Sequence, residues 1–171
     1  FNGMSGEYYF CEMMGPGGAL FDYDNDGDLD VYLVQGNMLG PGKRLEDALF
    51  PPPGRLPLKD RLFRNDWVLN PDGTSTLRFT DVTEQSGIVS PGYGMGAAAG
   101  DINNDGWDDI YVTQFGPNIL YLNEKDGTFR DVTEQAGVGG NAWSTSAAFF
   151  DMENDGDLDL FVGIYMDWDY D

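Results

Sequence analysis

The sequence predicts an all-β chain built from repeated four-stranded antiparallel units, and three observations carry that prediction. Three acidic nine-residue windows share one carboxylate spacing and one glycine position. Each window runs directly into a β-branched and aromatic stretch of strand-forming residues. Segments 50 residues apart also repeat one another almost residue for residue.

The windows are 22–30, 101–109 and 151–159, and they hold 14 of the 30 acidic residues. Asp22, Asp24, Asp26 and Asp30 occupy positions 1, 3, 5 and 9 of the first, with Asp28 at position 7. Asp101, Asn103, Asp105 and Asp109 do so in the second, with Trp107 at position 7. Asp151, Glu153, Asp155 and Asp159 do so in the third, with Asp157 at position 7. Position 6 is glycine each time: Gly27, Gly106 and Gly156. Calcium takes six to eight oxygens at about 2.3–2.6 Å, and alternate side chains of a tight loop converge on such a centre. Glycine supplies the sharp turn, the carbonyl of position 7 completes the ring, and position 9 closes it. Magnesium demands fewer protein oxygens and stricter octahedral geometry, so calcium is the better match, with up to three structural ions. The alternative is three acidic turns that bind nothing, which leaves close carboxylates repelling one another.

An EF-hand would need glutamate at position 12. Position 12 is Leu33, Val112 and Val162, inside the runs 31–34, 110–113 and 160–162. These runs are apolar with little alternation, as in strands covered on both faces. Each loop is therefore expected to join two strands, not two helices.

The repeat defines the unit. Asp101 and Asp151 are 50 residues apart, and so are Phe79 and Phe129, which open FTDVTEQSGI and FRDVTEQAGV. Asp22 precedes Asp101 by 79 residues, and the excess divides into 21 residues between Asp30 and Asn65 and 8 between Asn65 and Phe79. One complete unit reads as four strands: a small one over 96–99, one from Asp109 to Gln114, one over 119–122, and one around 128–132. Asp126-Gly127 between the last two is a hairpin signal. Four strands repeating every 40–50 residues mark a β-propeller blade. The small residues before each loop (Gly17-Gly18-Ala19, Ala97-Ala98-Ala99, Ala147-Ala148) suit an innermost strand crowded at an axis, or a generic Gly/Ala-rich strand. The chain is expected to be one partial propeller over 1–171, about three blades of a larger propeller of about seven, with a blade insertion over about 38–61.

ALFDYDNDGDLDVYLVQG, the two TDVTEQ/RDVTEQ segments and AAGDINNDGWDDIYVTQFGPNILYLNEKDGTFRDVTEQAGV resemble the FG-GAP/VCBS repeats of integrin-α-like propellers. Within that family they are similar to the group of cartilage acidic protein, which often carries an ASPIC/UnbV region; none is recognisable here. The resemblance implies calcium ligands at the window positions named above, with Glu153 one methylene longer than the usual residue. It also implies a secreted, cell-surface or periplasmic location and a structural or protein-interaction scaffold, not an enzyme. The chain starts at Phe1, not Met, so a mature or excised segment is expected.

Composition removes other classes. Net charge is −21, which repels nucleic acid and anionic lipid. No apolar run reaches membrane-spanning length. With no histidine, Ser-His-Asp triads, Cys-His pairs and histidine metal ligands are absent. Cys11 is the sole cysteine, either a buried thiol or half of a bridge to another segment.

Six of the nine basic residues (Lys43, Arg44, Arg55, Lys59, Arg61 and Arg64) lie in or beside the Pro-rich insertion. It reads as a solvated loop folded back on the acidic body, or as a binding loop. Tyr8, Tyr9, Tyr93, Trp107, Trp143, Tyr165, Trp168 and Tyr170 are expected mostly in the core, the alternative being a sugar-stacking platform. A lectin-like propeller is thus the second functional reading, and a polysaccharide-degrading enzyme with paired carboxylates the third. The partner, protein or glycan, is not identified. Completion of the propeller by more of a longer chain, or by self-association, is expected because three blades leave sheet faces bare.

Overall fold

The computed structural model describes residues 1–52 and 58–167. Pro53, Gly54 and Arg55 of the insertion, and the terminal segment 168–171 with Trp168 and Tyr170, lie outside the described residues.

The first blade is an antiparallel meander of β1 (Gly18–Phe21), β2 (Asp30–Leu33), β3 (Arg61–Asn65) and an outer strand at Phe79–Asp81. The eight-residue excess before that outer strand forms a small hairpin, β4 (Val68–Leu69) with β5 (Ser75–Thr76), which makes the outer strand β6. The second blade is β7 (Tyr93–Gly100), β8 (Asp109–Gly116), β9 (Ile119–Asn123) and β10 (Phe129–Asp131). The third contributes β11 (Ala142–Phe150) and β12 (Asp159–Met166). All pairings are antiparallel, and all three acidic windows connect a first strand to a second. The α-helices among the described residues are two single turns, α1 (Thr83–Ser86) and α2 (Thr133–Ala136).

Blade interfaces hold the core. Phe21, Tyr23, Tyr32 and Leu62 of the first blade pack with Ile110, Val112, Ile119 and Tyr121 of the second. Tyr111, Leu120 and Val132 of the second pack with Ala147, Phe149, Leu160 and Val162 of the third. Inner strands approach closely: a Cβ on Gly96 would lie 2.9 Å from the Thr145 carbonyl oxygen, so only glycine fits there. The repeat predicts separate blades, yet β11 also pairs with the far end of β8 through Ala142–Gly116 and Trp143–Phe115. The second and third blades thus share one six-stranded sheet at the end remote from the acidic loops.

At that remote end the N-terminal segment, with a 3-10 turn at Phe10–Met13, covers a further cluster of Cys11, Leu39, Tyr93, Met95 and Trp143. The Phe1 carbonyl accepts from the Gly36 N–H, and the Met4 carbonyl from the Leu49 N–H. Lys43 pairs with Glu7 at 2.8 Å and Lys59 with Glu84 at 2.6 Å, so the basic insertion meets acids of the body. Cys11 is a free, buried thiol, and burial pushes its pKa up to about 11. No helix among the described residues is long and apolar enough to cross a membrane.

Candidate metal centre

Each loop folds on itself through its own carboxylates. The position-1 side chain accepts the N–H groups of positions 5 and 6: Asp22 from Asp26 and Gly27, Asp101 from Asp105 and Gly106, Asp151 from Asp155 and Gly156, all at 2.7–3.1 Å. The position-5 aspartate accepts the N–H of position 7, which orients that peptide in Asp28, Trp107 and Asp157 alike. Position 6 has φ of 94° at Gly27, 86° at Gly106 and 96° at Gly156, which excludes an ordinary side chain.

Position 9 anchors the loop to its blade. Asp30 accepts the Tyr23 N–H at 2.9 Å on one oxygen and the Asn65 N–H at 2.8 Å on the other. Asp109 does the same with Ile102 and Asn123. Asp159 accepts from Met152 at 2.8 Å. Asp30 and Asp109 are fully buried, and burial pushes the pKa of each up to about 6 against the opposing backbone bonds. Asp24 is also raised, first by burial and then by Asp26 and Asp22 beside it. Asp108, at position 8 of the second loop, is raised by burial and by the charges of Asp101 and Asp22.

In the first loop the carboxylate oxygens of Asp22, Asp24 and Asp30 lie within 4.8 Å of one another, the one such group of three acids among the described residues. Asp24 Oδ1 is buried there and accepts no hydrogen bond. A buried carboxylate oxygen without a donor, on a residue grouped with two more carboxylates, suits a hard divalent cation, which supplies the missing charge and coordination together. Asp26 is exposed and Asp28 half-buried. The second loop replaces the position-3 acid with Asn103, whose oxygen accepts the Asp105 N–H at 3.1 Å, and engages Asp105 with Lys125 at 3.1 Å. In the third, Glu153, Asp155 and Asp157 are exposed and Asp159 is less buried than its counterparts Asp30 and Asp109. The named positions therefore occupy equivalent places in three loops, and three acids converge in the first.

The sequence pattern did not single out position 4. Asn25, Asn104 and Asn154 all have left-handed φ, 55°, 56° and 59°. Asn25 Nδ2 donates to the Gly106 carbonyl at 2.8 Å, and Asn104 Nδ2 to the Gly156 carbonyl at 3.1 Å and to Asp157 Oδ1 at 2.8 Å. The signal was present as asparagine before Asp-Gly in every window, but asparagine in a turn also reads as turn chemistry alone.

Among the described residues the aromatic side chains are spread over different parts of the chain. Tyr93 and Trp143 are buried at the end remote from the loops, Tyr8 and Tyr165 are exposed, and Trp107 lies in the second loop. Trp143 packs on Tyr165, with ring centres 4.8 Å apart.

Compared with known families, the chain matches the FG-GAP-like repeat over residues 22–112 and again over 101–162, and the two matches span all three acidic loops. No curated protein matches it.

Proposed function

This chain belongs to the FG-GAP-like repeat family, and on that premise we propose that it is a calcium-dependent propeller-type interaction scaffold acting outside the cytoplasm. The observation that carries the reading is the convergence of one carboxylate oxygen each from Asp22, Asp24 and Asp30, in a loop where Asp24 Oδ1 is buried without a donor. In the first loop Asp22, Asp24, Asp26 and Asp30 would hold the ion with the Asp28 carbonyl. Asp101, Asn103, Asp105 and Asp109 with the Trp107 carbonyl, and Asp151, Glu153, Asp155 and Asp159 with the Asp157 carbonyl, would do so in the others. The ion supplies charge neutralisation and ties the first strand of a blade to the second; it carries no reaction. Nearly every clustered carboxylate then has a ligand role, which favours a scaffold over a catalyst. An extracytoplasmic location fits both a calcium requirement and the likeness of the TDVTEQ segments to the cartilage acidic protein group.

The reading is tested by melting the chain with excess calcium and with EDTA. At a hundredfold excess over Kd each occupied site adds about 2.7 kcal/mol. One kcal/mol shifts a domain of this size by about 2–4 °C, so one filled site raises the midpoint by at least about 5 °C. Equal midpoints overturn the calcium reading.

A further inference from the structure

We propose that Asn25 and Asn104 are positioning residues that couple neighbouring loops, so that filling one loop with calcium raises the affinity of the next. The inference rests on the calcium reading above and goes beyond it, because nothing in a ligand pattern requires the loops to communicate.

The geometry is directional and occurs twice. Position 4 of the first loop reaches the carbonyl of position 6 in the second, at 2.8 Å. Position 4 of the second reaches the carbonyl of position 6 in the third, at 3.1 Å, and the position-7 carboxylate at 2.8 Å. The donors span 81 and 52 residues of sequence, so each bond joins two blades. Both asparagines hold the left-handed backbone that aims the amide outward from its own loop. The gripped carbonyl belongs to the turn glycine, one peptide before the carbonyl assigned to the metal. An ion that orders the donor loop thereby orders the acceptor loop's turn, and the ordering entropy is spent once for two sites. Asn154 has the same left-handed backbone but donates to no partner among the described residues, so the chain of links starts at the first loop and stops at the third.

Electrostatics alone predicts the opposite behaviour. Two dications in adjacent loops repel, so uncoupled loops would fill independently or with falling affinity. Cooperative filling that is lost with the two asparagine amides is therefore the diagnostic result.

The test is a calcium titration by calorimetry of the parent chain, Asn25→Gly, Asn104→Gly and the double variant. Glycine keeps the positive φ and removes only the side-chain donor. The melting midpoint in EDTA, expected to stay within about 2 °C of the parent, checks that each variant folds. The parent is expected to fill with a Hill coefficient of about 1.5 or more, reflecting a five- to tenfold coupling. Each single variant should be less steep, and the double variant should fall to about 1 or below with unchanged stoichiometry. A parent that binds calcium without cooperativity, or a double variant as steep as the parent, overturns the coupling and leaves the calcium reading intact. A parent that takes up no calcium removes both.

Discussion

Asp109 Oδ1 accepts the backbone N–H of Asn123 at 2.8 Å, which fastens the closing carboxylate of the second acidic loop to the third strand of its own blade. Its other oxygen accepts the Ile102 N–H, so one buried side chain satisfies two backbone donors. Asp109→Ala in EDTA is therefore expected to cost at least about 2 kcal/mol, since two donors lose their acceptor. Asp105→Ala, which removes a more exposed acceptor for the Trp107 N–H, should cost less than about 1 kcal/mol under the same conditions. Urea unfolding of the two variants in EDTA checks the contrast.

Equivalent residues in successive blades differ in burial because the third blade has no described neighbour beyond it. Tyr32, Tyr111 and Phe161 occupy one position of the repeat and are 0%, 1% and 60% exposed. Tyr32→Ala is expected to cost about 3–5 kcal/mol, as for other large buried side chains. Phe161→Ala in the chain alone should stay within about 0.5 kcal/mol. Comparable losses at the two sites would contradict the stacked-blade account.

The same comparison bears on assembly. Leu20 and Leu33 of the first blade, and Phe150, Met152 and Phe161 of the third, are exposed at positions whose counterparts pack between blades. A further blade is expected on these faces, from more of the same polypeptide or from a second copy. The chain alone, with calcium, should self-associate or bind a hydrophobic dye, and Phe161→Asp should weaken either behaviour. A monomer at all concentrations with no dye binding would count against open blade faces.

Asp60 offers a pH test away from the loops. It is fully buried and accepts from the Tyr32 hydroxyl at 2.6 Å and the Gln35 N–H at 2.7 Å. Burial raises its pKa, with hydrogen bonds from Tyr32, Gln35 and Ser90 opposing. The folded state therefore holds this proton more tightly than the unfolded chain does. The stability linked to it is complete below the unfolded value of about 4 and is lost as pH rises through the folded one. In EDTA, the stability of the parent relative to Asp60→Asn should grow as pH falls from 7 towards 4.5. A difference that stays constant or shrinks would show that Asp60 does not hold its proton more tightly in the folded state.

Much of this was legible in the sequence because two strong constraints coincide. A nine-residue loop that must converge oxygens and turn at glycine leaves little freedom in composition, so the windows at Asp22, Asp101 and Asp151 marked both the candidate site and the turn from the first to the second strand of each blade. The strands after them were legible from their β-branched and aromatic runs, but the expected cover on both faces holds only for β8; β2 leaves Leu33 exposed and β12 leaves Phe161 exposed, where no described blade lies beside them. The helices at Thr83–Ser86 and Thr133–Ala136 were not, since four residues are too few for a helical period. Their ends are set instead by Asp81 and Asp131 accepting the Thr83 and Thr133 N–H groups and by left-handed Gly87 and Gly137. The β8–β11 pairing and the Asn25 and Asn104 links join residues far apart in the chain, and no local pattern encodes such partners.

Long-wavelength diffraction from crystals grown with calcium tests the central claim most directly. The account predicts an anomalous peak about 2.3–2.6 Å from oxygens of Asp22, Asp24 and Asp30, at higher occupancy than in the loop of Asp151 and Glu153. Calcium-grown crystals with no anomalous peak in any of the three loops would contradict it.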